Sequence, residues 1–170
     1  PTLFPYTTHD RSAARLNCLW LVSKKVEALK IAVAGAGAAA MACLDVLVGL
    51  GAKTANIYAV DSKGLIYTGR AGGFDESKAR YAQPDTGART LADVVKDADV
   101  FLGCSAPGVM TAEMVKTMAR QPIILALANP EPEIRPELAK ALRPDCHIAT
   151  GRPDHPNQVN NVPSFPYIFR

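Results

Sequence analysis

One stretch constrains this chain more than any other: Lys30-Ile31-Ala32-Val33-Ala34-Gly35-Ala36-Gly37-Ala38-Ala39-Ala40. An apolar run of strand length leads straight into Gly-Ala-Gly-Ala-Ala-Ala. The segment after it carries Leu44, Leu47 and Val48 at helical spacing, up to the Gly49/Gly51 pair. The pattern predicts a buried strand, a tight turn and a helix that stops at those glycines. A strand apolar along its whole length needs cover on both faces, so the unit belongs in a layered α/β fold.

The rest of the chain repeats the alternation. Asn56–Val60, ending in Asp61, reads as a second strand, and DSKGLIYTGR as a turn with a short extension. A brief helix is expected over Glu76–Ala82. Thr90 and Asp93 stand as an N-cap and its N3 carboxylate, so a helix starts there. ADVFLGCS, PIILALA and CHIATG are further strands, separated by a helix from near Thr111 and by the proline-bounded RPELAKALRP. These elements predict a Rossmann-like, doubly wound, mostly parallel sheet with helices on both faces. The start fits less well: ARLNCLWLVSKKVEAL reads as a helix against the sheet and PTLFPYTTHDRSA as loop. Residues 1–29 are therefore set apart from a domain over residues 30–170.

Composition narrows the function classes. With 170 residues, 48% apolar and 21% charged, the chain is long enough for a core and too apolar for disorder. The net charge of +3 is scattered, without a Lys/Arg block, which argues against nucleic acid. No apolar run has membrane-spanning length, and the first residues lack signal-peptide order. Cys18, Cys43, Cys104 and Cys146 lie far apart without a C-x-x-C pair, as expected of reduced thiols in a cytoplasmic protein. The chain opens on proline and stops just after an apolar run, so it is expected to be a fragment of something longer.

In its strand–turn–helix context Gly35-Ala36-Gly37-Ala38-Ala39-Ala40 matches G-x-G-x-x-A, a dinucleotide-binding turn. Gly35 permits the turn, Gly37 lets a pyrophosphate approach, and Ala40 lets helix and strand pack closely. A turn made of small residues for packing alone is the other reading. Asp61 stands where a carboxylate holds ribose hydroxyls, 26 residues after Gly35, somewhat beyond the usual spacing of about 20. Ser62 and Lys63 follow, a pair able to hold a 2′-phosphate, so NAD and NADP both remain open.

Ligands of open α/β sheets sit at the carboxyl ends of the strands. Ser105-Ala106-Pro107-Gly108 forms a rigid, low loop there, fit to lie along a cofactor. Asn129, placed before Pro130, and the amide cluster Asn157, Gln158, Asn160 and Asn161 are expected on the same edge. Neutral amides can orient a nicotinamide or a substrate carboxylate without adding charge; loop capping is the alternative. No acid–base pair stands out. His9, His147 and His155 are far apart, and His147 reads as a core residue.

Taken together, KIAVAGAGAAAMACLDVLVGLG, DSKGLIYTGR, ADVFLGCSAPGVMTAEMVKTMA, PIILALANPEPEI and ATGRPDHPNQVNNVPSFPYIFR resemble the cofactor-binding domain of bacterial NAD(P)-dependent malic enzymes. The resemblance runs from about Lys30 to Arg170. It implies oxidative decarboxylation of malate to pyruvate and CO2 with reduction of NAD(P), a divalent Mg or Mn ion, and homo-oligomers of the complete enzyme. By motif, Gly35 to Ala39 cradle the pyrophosphate, Asn129 contacts cofactor or substrate, and Asn160 binds malate. The family's acid–base tyrosine and lysine and an acidic metal-ligand pair lie in a preceding domain, so the chain alone is expected to be inactive. Asp10, in His9-Asp10, is the remaining candidate metal ligand, at a spacing several residues short of the family's. A non-catalytic NAD(P)-binding module, or a domain of an amino-acid-type dehydrogenase, are the competing readings.

Overall fold

The computed structural model describes residues 24–152 together with Asp154, Asn157 and Val159. Its six strands are β1 (Ile31–Ala34), β2 (Ile57–Asp61), β3 (Gly64–Leu65), β4 (Val100–Gly103), β5 (Ile123–Ala126) and β6 (His147–Thr150). They form one sheet in the order β3-β2-β1-β4-β5-β6. All neighbours run parallel except β3, which turns back antiparallel on β2 with Asp61 opposite Gly64. The five strands expected from the sequence are all present, and the short extension after Asp61 is β3.

The helices are α1 (Ala38–Gly49), α2 (Glu76–Ala79), α3 (Leu91–Val95), α4 (Ala112–Thr117) and α5 (Pro136–Leu142). Alternation along the strands explains how they cover the sheet. Ile31, Val33, Ile57, Ala59, Val100, Leu102, Ile123 and Leu125 share one core with Ala40, Leu44 and Leu47 of α1. Ala32, Ala34, Val60, Phe101, Ile124, Ala126 and Ile148 share the other with Val94 and Val95 of α3, Val115 of α4 and Ala139 of α5. Successive side chains of a strand point to opposite faces, so strands apolar throughout are those with helices on both sides.

Local chemistry sets the helix starts. Thr90 accepts the Asp93 N–H while the Asp93 carboxylate accepts the Thr90 N–H at 2.8 Å, the reciprocal box expected there. Thr111 caps α4 through the Met114 N–H. Two expectations are corrected. The helix expected over Glu76–Ala82 ends at Ala79, because the chain is then pulled into pairing: the Gln83 N–H donates to the Ile66 carbonyl and the Thr68 N–H to that of Gln83. Tyr81 is buried on the way, its hydroxyl donating to Asp45 at 2.5 Å. Of the helix expected before β1, the described residues 24–29 hold only a 3-10 turn over Val26–Ala28. Its earlier residues lie outside the described ones. Leu29 is in the core, and Lys24 bridges to Asp99 at 2.6 Å.

At the opposite edge, Arg143 ties two loops together. Its guanidinium donates to the carbonyls of Met118 at 3.0 Å and Ala119 at 2.8 Å, just past α4, and grips both oxygens of Asp145 at 2.9 Å. The Gln121 N–H donates to the same carboxylate. Those hydrogen bonds, Arg143's first, hold the Asp145 carboxyl far below the usual carboxylate range. A depressed carboxyl contributes stability that is complete above its unfolded value, near pH 4, and is lost as the pH falls through the folded one. Arg143→Met is expected to lower unfolding free energy by about 1–3 kcal/mol and to flatten the loss of stability below about pH 4. Urea unfolding of both proteins between neutral and acid pH checks both effects; an unchanged acid slope would refute the assignment.

Candidate functional site

The strand order reverses between β1 and β4, and that is where the glycine turn lies. Leaving β1, the chain is fixed on both sides: the Gly35 N–H donates to the Val60 carbonyl and the Cys104 N–H to that of Ala34, each at 2.8 Å. Gly35 takes φ +94°, and a Cβ on it would overlap the carbonyl of Cys104. Its glycine is thus required by the neighbouring strand end, before any ligand is considered. Gly37 differs. It is exposed, has an ordinary φ of −84°, and a Cβ there would meet nothing.

Gly37 is the N-cap of α1 and offers no side-chain cap, so the N–H groups that open the helix project from an exposed turn of Gly37, Ala38 and Ala39. Uncapped amide donors at the positive end of a twelve-residue helix suit an anion such as a phosphate. Ala36 and Ala40 are buried instead, Ala40 completely, and they let α1 pack on the sheet.

Beside this turn opens a cleft of about 510 Å³, lined by Ala34, Gly35, Val60, Asp61, Ser62, Leu91, Ser105, Ala106 and Val109. It brings together three strand ends that the sequence grouped: Gly35 after β1, Asp61 and Ser62 after β2, and Ser105 after β4. Its walls are mostly apolar, as a flat base would require, with polar groups at few points. Lys63 is exposed next to Ser62. Asn129 is exposed at the tip of β5, beyond the cleft walls, with its amide against Gly151.

Asp61 has partners the sequence did not announce. Arg70 donates to both of its oxygens, at 2.8 and 2.9 Å, the Lys63 N–H donates at 2.9 Å, and the Lys78 ammonium lies 3.7 Å away. Burial pushes the carboxyl up, but the Arg70 hydrogen bonds, the Lys63 N–H and the nearby positive charges together hold it below its ordinary value. Arg70 is itself buried and also donates to the carbonyl of Gly73 at 3.1 Å. Nothing in the sequence around Gly69-Arg70 marks this arginine as a partner; only the short β2–β3 turn brings it back.

The remaining candidates fall outside these contacts. Asp10, His155, Gln158, Asn160 and Asn161 lie outside the described residues. Asn157 is exposed, and its amide donates to the Ile148 carbonyl at 3.1 Å. His147 opens β6 half-buried, away from the cleft. Among the described residues no three His, Cys, Asp or Glu side chains gather as a metal set. The second functional-looking residue the sequence missed is Glu133, wholly buried in the NPEPEI loop.

The two motif glycines are expected to separate in stability. Gly35→Ala combines a left-handed φ with a backbone clash and is expected to destabilise the chain by about 3 kcal/mol or more. Gly37→Ala is expected to lose no more than about 1 kcal/mol. Thermal and urea unfolding of the two variants check this, and equal losses would overturn it.

Comparison with known proteins gives a consistent picture. The family model "Malic enzyme, NAD binding domain" matches residues 9–167. The NADP-dependent malic enzyme of Escherichia coli is 60% identical over 159 residues, 94% of this chain and 21% of that protein. The NAD-dependent malic enzyme of Rhizobium meliloti is 56% identical over the same share of the chain and 20% of its own length. The chain thus spans about a fifth of the curated relatives it matches. In three dimensions it is similar to an NAD-dependent malic enzyme from Thermotoga maritima, with TM-score 0.85 and 41% identity over 95% of this chain and 43% of that one. A dipicolinate synthase subunit from Bacillus halodurans, at TM-score 0.61 and 15% identity, shares the fold alone. With a match of that extent, the chain belongs to the malic enzyme NAD-binding domain family.

Proposed function

We propose that this chain is the dinucleotide-binding part of an enzyme that oxidatively decarboxylates malate to pyruvate and CO2. The observation that carries the reading is the extent of the family match, residues 9–167, which takes in both the glycine turn and the amide-rich approach at Asn157–Asn161. The geometry supports it: an exposed, uncapped helix start beside an apolar cleft at the strand-order reversal suits a dinucleotide. Bound there, NAD(P) supplies the acceptor for the hydride leaving malate.

The chain's own residues bind and orient. The N–H groups after Gly37 hold the pyrophosphate, the side of the cleft at Val60, Asp61 and Ser62 takes the adenosine, and its Ser105 rim faces the nicotinamide half. Asn129 and Asn160 meet nicotinamide or malate at the strand tips. Among the described residues no His, Lys or Tyr lines the cleft, and the carboxylate of Asp61 is engaged by Arg70. Proton transfer during decarboxylation is therefore assigned to groups outside the described residues. No metal set gathers among the described residues, and Asp10 is the ligand proposed for Mg or Mn. Homo-oligomers and a cytoplasmic location belong to the same reading; no helix among the described residues is long and apolar enough to cross a membrane.

For the cofactor the reading selects NADP. Arg70 neutralises the carboxylate that would repel a 2′-phosphate, while Ser62 and the Lys63 ammonium stand exposed beside it. Thermal-shift titration should give a larger rise in melting temperature with NADP than with NAD at equal concentration. Lys63→Ala should weaken NADP about fivefold and leave NAD unchanged. Gly37→Ala should weaken both about tenfold with little loss of stability. The isolated chain should not reduce NADP with malate and Mg or Mn. A wild type that binds neither dinucleotide would defeat the reading; binding that malate does not affect even in the longer protein would favour a sensing module.

A further inference from the structure

Glu133 is a fully buried glutamate that the dinucleotide reading leaves without a role. Its carboxylate accepts the Ser105 N–H through Oε1 and the Ala128 N–H through Oε2, each at 3.0 Å. Those donors belong to different strand ends: Ser105 to the loop after β4, and Ala128 to the tip of β5 directly before Asn129. The backbone around Glu133 repeats the connection. The Met110 N–H donates to its carbonyl at 3.1 Å, and the Gly108 N–H to that of Pro132 at 3.2 Å. Below the carboxylate lies Gly103, where a Cβ would overlap the carboxyl carbon, so β4 has room for this group only as glycine.

Among the described residues Glu133 has no ion-pair partner, and a buried charge held only by amides is an expensive way to fill a core. What a carboxylate alone provides is two acceptor oxygens and no donor. Glutamine would turn an NH2 toward one of the two N–H groups and free one strand end. We propose that Glu133 is a positioning residue for the dinucleotide, holding the Ser105 loop and the Asn129 tip as one unit so that contacts at the nicotinamide end form together. Among the described residues no hydrogen bond links Glu133 to the adenosine end at Asp61 and Ser62, across β1.

The proposal rests on the dinucleotide reading, and the test separates the two. Calorimetry on the full chain compares NADP with 2′,5′-ADP, which carries only the adenosine end. Wild type, Glu133→Gln, Asn129→Ala and the double variant are each titrated. Glu133→Gln should weaken NADP about tenfold and leave 2′,5′-ADP within about twofold. Asn129→Ala should weaken NADP less when combined with Glu133→Gln than in wild type, since a tip already released has less to lose. Glu133→Asp, one methylene short of spanning both donors, should show the same selective loss and stands in if the glutamine variant does not fold. Equal weakening of both ligands, additive effects, or loss of folding in both Glu133 variants would assign Glu133 a purely structural part. A wild type that binds neither ligand would overturn the dinucleotide reading and this proposal with it; one that binds NADP with the variants unchanged overturns this proposal alone.

Discussion

Everything at the ligand edge of this domain depends on how closely β1 and β4 end beside each other. The two strands are hydrogen-bonded neighbours, yet the chain must leave them toward opposite faces of the sheet. At that divergence the backbone of Gly35 rests on the Cys104 carbonyl, in a conformation and a space that exclude any side chain. This contact opens the cleft, sets the direction in which α1 departs, and leaves the helix start facing outward. The second glycine is free of such demands, so the motif divides: Gly35 serves the fold and Gly37 leaves space for a ligand.

A second constraint is the satisfaction of charge near the strand tips. Asp61 and Glu133 both place carboxylates at poorly solvated positions, and they are stabilised in different ways. Asp61 meets a buried guanidinium in two-pronged geometry, strengthened by a backbone N–H. Among the described residues Glu133 meets amide dipoles only. The first arrangement leaves local charge near neutral beside Ser62 and Lys63, where the proposed reading puts the phosphorylated ribose. The second fixes the backbone on which exposed Ser105 and Asn129 ride.

How far the sequence could be read follows from the range of the interactions involved. Strands apolar throughout, the Thr90–Asp93 box, the helix start near Thr111 and the helix stop at Gly49 depend on residues within a few positions of one another, and each was legible. The early end of α2 was not, because pairing between Gln83 and Ile66 takes precedence over local helix preference there. Arg70 and Glu133 were hidden for the same reason. The Glu133 partner Ser105 lies 28 residues away, and nothing in Glu131-Pro132-Glu133 tells which acid turns inward. Of the candidate site, Gly35, Asp61, Ser62 and Ser105 line one cleft, a grouping the strand-end rule reaches without side-chain detail because it is topological, whereas Lys63 and Asn129 lie beyond its walls.

The chemistry left at this edge is that of a holder. Backbone N–H groups, neutral amides and small hydroxyls can fix a dinucleotide in one orientation without competing for its charges. A free base close to a hydride acceptor would have to change charge during turnover and would disturb the field that holds the cofactor. Committing Asp61 to Arg70 removes this cleft carboxylate from proton exchange at neutral pH, since protonating it means giving up two guanidinium hydrogen bonds. A fixed, charge-balanced edge of this kind suits a reaction in which hydride transfer and proton transfer are carried by different surfaces, and on the proposed reading this chain supplies the surface for the hydride.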